Sequence, residues 1–537
     1  MEEQKLPELQ KSTNCWSDGK DQKETHLPHE DAQTMTDDLS SSSLDSDCPI
    51  LDFIRKYQAM ELTIDGYQDS TFHQQVDMKA VLRKIDKKLL LLALVLYFLQ
   101  FLDKVVLNYS KIMGISKDLH LKGNQFSDLP TYFFVAFLIF EPIQGLLLHR
   151  FTIVTVLSVN VVIWGITTAC CSAAQSFPGI MVLRVILGCS EAAISPCLVL
   201  LTTTWYNSSE SAFRMGIWYS GLGLGQIIGG LLSFLFQLVP TDISFNGWRI
   251  MFLVVGIANV ACGIGSYFML PNDPVNCKFL NIHEKYALVV KLTDSKVGGA
   301  SKKIIWHQVW ESLSDVTFYL FFLLSASISF SSNTISTFSS TDIISFGFNS
   351  KQAALLNMPS GVVSIISTLL SAYFIMKGFP RGLSIMLLCL PAVTGGALMS
   401  FLPKHNQAGL LVGIYMINTI VAPLAIVYAW IGSCVAGHTK KVCFNISVMI
   451  GFAVGNITGP QSYRVKDAPQ YLPAKVSMLV TQAASVVIAF AILITYFYRN
   501  KQRNLSQVDV ELDDKEEMEN VWSNKTDFEN PCFRYCY

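Results

Sequence analysis

Long apolar stretches separated by short polar connectors fill the chain between residues 89 and 498. A helix needs about 20 apolar residues to cross the hydrocarbon core of a bilayer. The pattern therefore predicts an all-α integral membrane protein with 12 transmembrane helices. In chain order the predicted spans are Leu89–Met113, Tyr132–Leu148, Val154–Ala174, Met181–Trp205, Met215–Leu238, Ile250–Leu270, Tyr319–Ser340, Ala353–Met376, Leu383–Leu402, Leu410–Cys434, Ile446–Tyr463 and Val476–Tyr498.

A charged connector over residues 272–316 divides these spans into six and six. The division predicts an N-terminal six-helix bundle over residues 81–271 and a C-terminal six-helix bundle over residues 317–499. This arrangement resembles the major facilitator architecture. In that architecture the halves are related by an axis along the membrane normal, and the substrate site lies between them near the midplane.

The two ends of the chain are polar. Residues 1–80 contain the run Ser40 to Ser43 and no apolar core, which excludes a cleavable signal peptide and predicts a disordered tail. Residues 500–537 form a second predicted tail. The net charge of −1, with no basic stripe interleaved with aromatic residues, indicates no nucleic-acid partner.

Basic residues lie mainly on one side of the predicted spans. Because cytoplasmic connectors carry an excess of lysine and arginine, this distribution places both tails and the central connector in the cytosol. The basic residues on this side are Lys79, Arg83, Lys84, Lys87, Lys88, Arg150, Arg214, Lys377, Arg381, Lys440, Lys441, Arg499, Lys501 and Arg503.

Two ionisable residues, Asp103 and Lys104, stand near the middle of the first predicted span. A charge at this depth costs about 2.5–3.5 kcal/mol on insertion scales, so its presence requires a structural or functional explanation. One interpretation is a local Asp–Lys pair at the end of the helix. The other is a polar wall of a translocation path, or a carboxylate linked to a proton.

The fourth predicted span carries Arg184 and Glu191, seven residues apart and therefore on one helix face. Arg184 is a fixed cation suited to a carboxylate ligand. Glu191 is a candidate proton carrier, since burial raises the pKa of a carboxyl group. The alternative is a structural charge network that holds helices together.

Other polar residues in the spans have two open interpretations. Glu141, beside Pro142 in the second span, is either a kink or interhelical hydrogen-bond partner or a functional carboxylate. Each uncharged residue alone is more often an interhelical contact than a ligand contact, but together they indicate a polar central cavity. The uncharged residues are Asn108, Gln226, Asn333, Asn418, Asn456 and Gln461.

Motifs for catalysis and for cofactor or metal binding are missing from the sequence. It has no P-loop, no HExxH and no nucleophile elbow, and the 13 cysteines show no metal or disulfide spacing. The Gly221–Gly225 run lies inside an apolar span without a preceding strand, so it indicates close helix packing. We therefore expect no cofactor, no metal and no enzymatic activity.

Several motifs together resemble the fungal anion:cation symporter family, typified by allantoate permease. The similarity covers roughly residues 80–537. The motifs that carry it are Gln100–Lys104 with Met113-Gly114, Glu141-Pro142, Leu147–Arg150, Arg184–Pro196, Trp205-Tyr206 with Glu210 and Arg214, Trp248–Phe252, Pro271–Leu280, Gly437–Lys441, Gly455–Gln461, Asp467–Tyr471, Thr526–Pro531 and Phe533–Tyr535.

The resemblance implies proton-coupled uptake of small organic anions such as ureido acids, vitamin carboxylates, short peptides or sulfonates. It implies leading roles for Asp103, Arg184 and Glu191. The substrate-binding candidates are Arg184, Lys104, Asn108, Gln226, Asn333 and Asn456, and the proton-coupling candidates are Asp103, Glu191 and Glu141.

Two other functions stay open at this stage. One is a nutrient sensor with a transporter fold that signals through its tails, and the other is a facilitator without proton coupling. A monomer in the plasma membrane is the expected state, with the endoplasmic reticulum or the vacuole as alternatives.

Overall fold

The computed structural model describes residues 76–238, 246–295, 305–403, 405–506, 525–530 and 533–537. Asp77–Tyr537 forms one compact unit. Most of the predicted N-terminal tail, residues 1–75, lies outside the described residues. The first helix begins at Met78, in the last residues of that tail.

Within the described residues, 12 helices are long and apolar enough to cross a membrane, and no strand occurs. The predicted all-α membrane fold is confirmed. The helices, named here spans 1 to 12, are Met78–Ile112, Gln125–Leu148, Ile153–Cys171, Phe177–Trp205, Phe213–Phe236, Gly247–Met269, Val316–Ser345, Ser350–Met376, Arg381–Phe401, Gln407–Cys434, His438–Gln461 and Leu472–Leu505.

Several spans are longer than predicted or interrupted near the middle. Span 7 continues to Ser345, five residues past its predicted end. Span 4 is broken into Phe177–Glu191 and Ile194–Trp205. Pro196 contributes to this break because a proline lacks the N–H that would bond to the carbonyl four residues earlier. The break directly follows Glu191, one of the candidate site residues.

Glycines bring helices into close contact, as the Gly221–Gly225 run predicted. A methyl group on Gly221 would meet the backbone of span 1 at Leu94 and Phe98. A methyl group on Gly223 would overlap the carbonyl oxygen of Gly361 in span 8. The two faces of one short glycine run therefore pack against helices of both bundles.

The start of span 1 and the end of span 12 lie at one end of the twelve-span unit, because an even number of spans returns the chain to the end where the first span began. This end is called the terminal end below. The connector helices Ile282–Ser295 and Trp306–Ser314 belong to the chain between spans 6 and 7. Short helices at Ile115–Asp118 and Val465–Asp467 lie at the opposite end, after spans 1 and 11.

The last residues of the chain pack against the terminal end of the second bundle. Lys440 is fully buried and pairs with Asp527 at 2.7 Å and Glu311 at 2.8 Å. Arg499 pairs with Asp315 at 2.7 Å. Burial raises the pKa of Asp315, but hydrogen bonds from Arg499 and Thr317 lower that pKa to below its ordinary value. The described part of the predicted C-terminal tail is thus docked on the helices.

Candidate functional site

Two ion pairs join spans 1 and 4 in the interior of the first bundle. The Arg184 guanidinium lies 3.6 Å from the Asp103 carboxylate, and the Lys104 Nζ atom lies 3.1 Å from Glu191 Oε1. Asp103, Arg184 and Glu191 are buried, whereas the Lys104 side chain is 24% exposed. The charges therefore pair across helices, and the predicted local pair of Asp103 with Lys104 is not the arrangement found.

Helix geometry explains the pairing. Neighbouring residues on a helix point about 100° apart, so Asp103 and Lys104 reach different parts of span 4. Arg184 and Glu191 lie two turns apart on the face that span 4 presents to span 1. Thr168 of span 3 adds a hydrogen bond from its hydroxyl to Asp103 Oδ1 at 3.0 Å. The four charged groups thus form one row between spans 1 and 4, and Thr168 of span 3 adds a neutral contact to it.

Several polar atoms in this row have no hydrogen-bond partner among the described residues. They include Nε and Nη2 of Arg184, Oδ2 of Asp103 and both carboxylate oxygens of Glu191. The Lys104–Glu191 contact is close enough for an ion pair but lacks hydrogen-bond geometry. A buried ion costs several kcal/mol when its lone pairs and protons are not satisfied. The pairing of opposite charges across spans 1 and 4 offsets part of this cost.

A cavity of about 20 Å³ borders the ion pairs and lies between the bundles. Asn333 and Thr337 of span 7 line it from the second bundle. This volume accommodates about one water molecule. The first bundle contributes the remaining lining residues, which are Asp103, Lys104, Leu107, Pro130, Phe133, Phe134 and Arg184.

Two of the predicted substrate-binding residues lie in a different layer, where the bundles are in contact. Asn108 donates to Ser339 Oγ at 2.8 Å across spans 1 and 7. Gln226 of span 5 faces Asn357 of span 8 at 3.5 Å. Asn357 also donates to Tyr109 and to Ser339. The layer connects the two bundles directly, and neither Asn108 nor Gln226 lines the cavity.

The remaining candidates separate into one cavity residue and two others. Asn333 lines the cavity and donates to the backbone oxygen of Asn456 at 2.8 Å. The Asn456 amide donates to Phe452 of its own helix. Glu141 is partly exposed. The structure does not bring Glu141 to the two ion pairs.

A second charged cluster was missed by the sequence interpretation. Asp342 is fully buried, accepts a hydrogen bond from the Tyr463 hydroxyl at 2.6 Å and pairs with Lys475 at 3.5 Å. Lys111 of span 1 interacts electrostatically with Asp342. The sequence offered one signal for this cluster, because both residues stand at predicted ends of spans. Asp342 lies two residues after the predicted end of span 7, and Lys475 lies one residue before the predicted start of span 12.

Among the described residues, one group of side chains has ligand atoms close enough together to hold a metal ion. It consists of His307, Glu311 and Glu529 at the terminal end, with ligand atoms within 4.8 Å of one another. Glu311 is already engaged by Lys440. The group lies outside the central site and has no part in the chemistry of the ion pairs.

Comparison with known proteins identifies related carriers. The family profile of the Major Facilitator Superfamily matches residues 93–492. The thiamine pathway transporter of Saccharomyces cerevisiae is 35% identical over 458 residues, covering 85% of this chain and 86% of that protein. Allantoate permease of the same yeast is 30% identical over 465 residues, covering 84% and 85%.

Solved structures share the fold. The D-xylose-proton symporter superimposes with a TM-score of 0.58 at 12% identity, covering 75% of this chain and 96% of that one. A bacterial homologue of the human lysosomal transporter Spinster, in an inward-facing and unoccupied conformation, gives a TM-score of 0.56 at 18% identity, covering 75% and 95%. At these identities the likeness concerns the fold alone.

Proposed function

The chain belongs to the Major Facilitator Superfamily, with fungal transporters such as allantoate permease among its relatives, and from this premise we propose that it carries a small organic anion together with a proton. The family establishes a membrane-embedded transporter of small molecules. The anionic solute and the proton are our proposal.

The observation that carries the proposal is the Arg184 guanidinium at the edge of the cavity. Two of its nitrogen atoms are buried and donate to no acceptor in the described part of the chain. A guanidinium presents its donors as a planar fork that matches a carboxylate. Lys104, on the same cavity wall, supplies a second cation for the anion. Asn333 supplies a neutral contact from the second bundle.

Charge balance supports the coupling to a proton. With all four groups ionised, the two cations and two carboxylates of the site sum to zero. An added anion leaves one uncompensated negative charge in a medium of low dielectric constant, which is costly. Protonation of one carboxylate removes that cost. Glu191 and Asp103 are the proposed proton carriers, because each is the ion-pair partner of an anion-binding cation.

The remaining candidates take different roles in this proposal. Asn108 and Gln226 hold the bundles together on the closed side of the path, and Asn456 supports Asn333 through its backbone. We place both termini and the connector in the cytosol, because the basic residues are concentrated on that side. The proposed transporter is a monomer of the plasma membrane that works by rocking one bundle against the other.

The experiment begins with a growth screen. A strain lacking the gene is grown on single nitrogen, sulfur and vitamin sources to identify the solute. Ureido acids and compounds of the thiamine pathway enter the panel first, because the names of two relatives refer to them. Uptake of the radiolabelled solute is then measured with and without an inward pH gradient.

Arg184→Ala is compared with Arg249→Ala in the same assay. Arg249 lies at the start of span 6, where it donates to the backbone oxygen of Ser172 and stacks on Trp248. We expect Arg184→Ala to abolish uptake and Arg249→Ala to retain it. Unchanged uptake in Arg184→Ala would remove the proposed anion site. Uptake that ignores the pH gradient would replace the symporter with a facilitator.

A further inference from the structure

Lys111 of the first bundle inserts between aromatic rings at the end of the twelve-span unit opposite the terminal end. Its Nζ atom lies 4.3 Å from the ring centroid of Phe338, 4.8 Å from that of Phe126 and 5.8 Å from that of Tyr471. Such distances are those of cation–π contacts. Phe338 and Tyr471 belong to the second bundle, so the lysine bridges the interface between the bundles.

The second bundle holds these rings in fixed positions. Phe338 stacks on Tyr463 with ring centroids 4.2 Å apart and planes inclined by 2°. Tyr463 packs against Tyr471 at 5.1 Å and donates its hydroxyl to Asp342. Lys475 pairs with the other oxygen of Asp342. The ammonium of Lys111 therefore enters a site whose rings already pack on one another and whose carboxylate already accepts a hydrogen bond from Tyr463.

Several other contacts between the bundles at this end are hydrogen bonds that involve no cation. Ser127 donates to the backbone oxygen of Tyr463 at 3.0 Å. Gln461 donates to Asp128 at 3.0 Å and to Thr131 at 2.8 Å. Within the described ranges, no carboxylate lies within ion-pair distance of Lys111, so the rings and the more distant Asp342 hold its charge.

We propose that Lys111 is the positioning residue that keeps the outer side of the path closed. In the closed arrangement its ammonium is bound by the rings of the second bundle. When the bundles separate, the same ammonium leaves the rings of the second bundle. The proposal rests on the proposed orientation for the outer side.

The test measures access from outside and needs no identified solute. Thr337, which is buried and lines the cavity, is replaced by cysteine. A membrane-impermeant maleimide is added to intact cells, and labelling at position 337 is followed by peptide mass spectrometry. The reporter is combined with Lys111→Met, with Lys111→Arg and with the control Lys117→Met. Lys117 is an exposed lysine in the short helix after span 1.

We expect Lys111→Met to raise the labelling rate roughly tenfold, since it removes a partly desolvated cation–π contact from the closed state only. Lys111→Arg restores slow labelling because a guanidinium also stacks on aromatic rings. Lys117→Met leaves the rate unchanged.

Equal labelling of the parent and Lys111→Met would overturn the role of Lys111, as would an arginine that fails to restore the closed state. Failure of the proposed function has a separate signature. If labelling follows the expected order but no anion is taken up, the closure by Lys111 stands and the anion proposal falls.

Discussion

The interiors of the two bundles are built from different chemistry. The first bundle holds four charged side chains near mid-depth, paired across spans 1 and 4. In the described part of the second bundle, charged side chains lie near the ends of the spans, as with Asp342, Lys475 and Lys440. Its middle presents Asn333 and Thr337 to the cavity. The comparison assigns charge chemistry to one bundle and neutral recognition to the other.

The largest expected effect comes from breaking one ion pair in the first bundle. Lys104→Met leaves Glu191 buried without its cation, which we expect to lower the free energy of unfolding by about 3–5 kcal/mol and to abolish uptake. Thermal unfolding in detergent and solute uptake measure the two effects.

The double variant Lys104→Met/Glu191→Gln separates support of the fold from transport. Removing both charges should restore most of the stability, because no uncompensated ion remains. It should not restore uptake against a gradient, since one of the two proposed proton carriers and an anion-binding cation are both gone. A double variant that transports like the parent would reduce the ion pairs to structural supports.

Contact between the bundles is the next feature to test. A methyl group on Gly223 would overlap the carbonyl oxygen of Gly361, so Gly223→Ala should cost about 1–3 kcal/mol in this conformation. We expect uptake to slow, because closing the bundles against each other becomes unfavourable. Gly265→Ala in span 6 is the matched control, since nothing lies within 4 Å of the added methyl group. Equal effects at both positions would argue against a specific contact between the bundles.

Neutral recognition by the second bundle predicts a smaller effect. Asn333→Ala removes one cavity hydrogen-bonding group, worth about 1 kcal/mol, so the apparent KM for the solute should rise by roughly fivefold. The dependence of uptake on the pH gradient should stay intact. Asn456→Ala is the control, because its amide serves its own helix. Loss of the pH dependence in Asn333→Ala would contradict the assignment of neutral recognition to the second bundle and of proton coupling to the first.

Glu141→Gln should have the smallest effect. This carboxylate is partly exposed and takes no part in the two ion pairs. We expect accumulation of the solute to change by about twofold or less, because a carboxylate outside the paired charges is not needed to balance the anion. If Glu141→Gln abolished accumulation, the proton would be carried outside the two ion pairs, which would contradict the assignment of proton coupling to Asp103 and Glu191.

Hydrophobic pattern alone predicted the twelve spans and their division, because the length of an apolar run directly reflects bilayer thickness. The cost of burying charge also pointed to Asp103, Arg184 and Glu191. The pairing of Asp103 with Arg184 could not be predicted, since it depends on the rotation of each helix about its own axis. Helices that are apolar on most faces give no pattern that fixes this rotation.

Residues at the ends of spans were the other limit of prediction. Asp342 and Lys475 are polar, so the hydrophobic pattern placed them outside the spans. The helices extend to include both residues, because each satisfies the charge of the other in the folded protein. Asn108 and Gln226 were predicted to line the cavity, but neither does. They are polar within apolar spans, but they meet partners in the facing bundle.

The most direct test of the proton role compares accumulation with exchange in proteoliposomes. The parent protein, Glu191→Gln and Asp103→Asn are each reconstituted with the identified solute. The parent protein should accumulate solute when a pH gradient is imposed. The variants should lose accumulation yet still exchange labelled for unlabelled solute, because a permanently neutral side-chain amide mimics the protonated carboxyl group. Accumulation that persists in both variants would contradict the account.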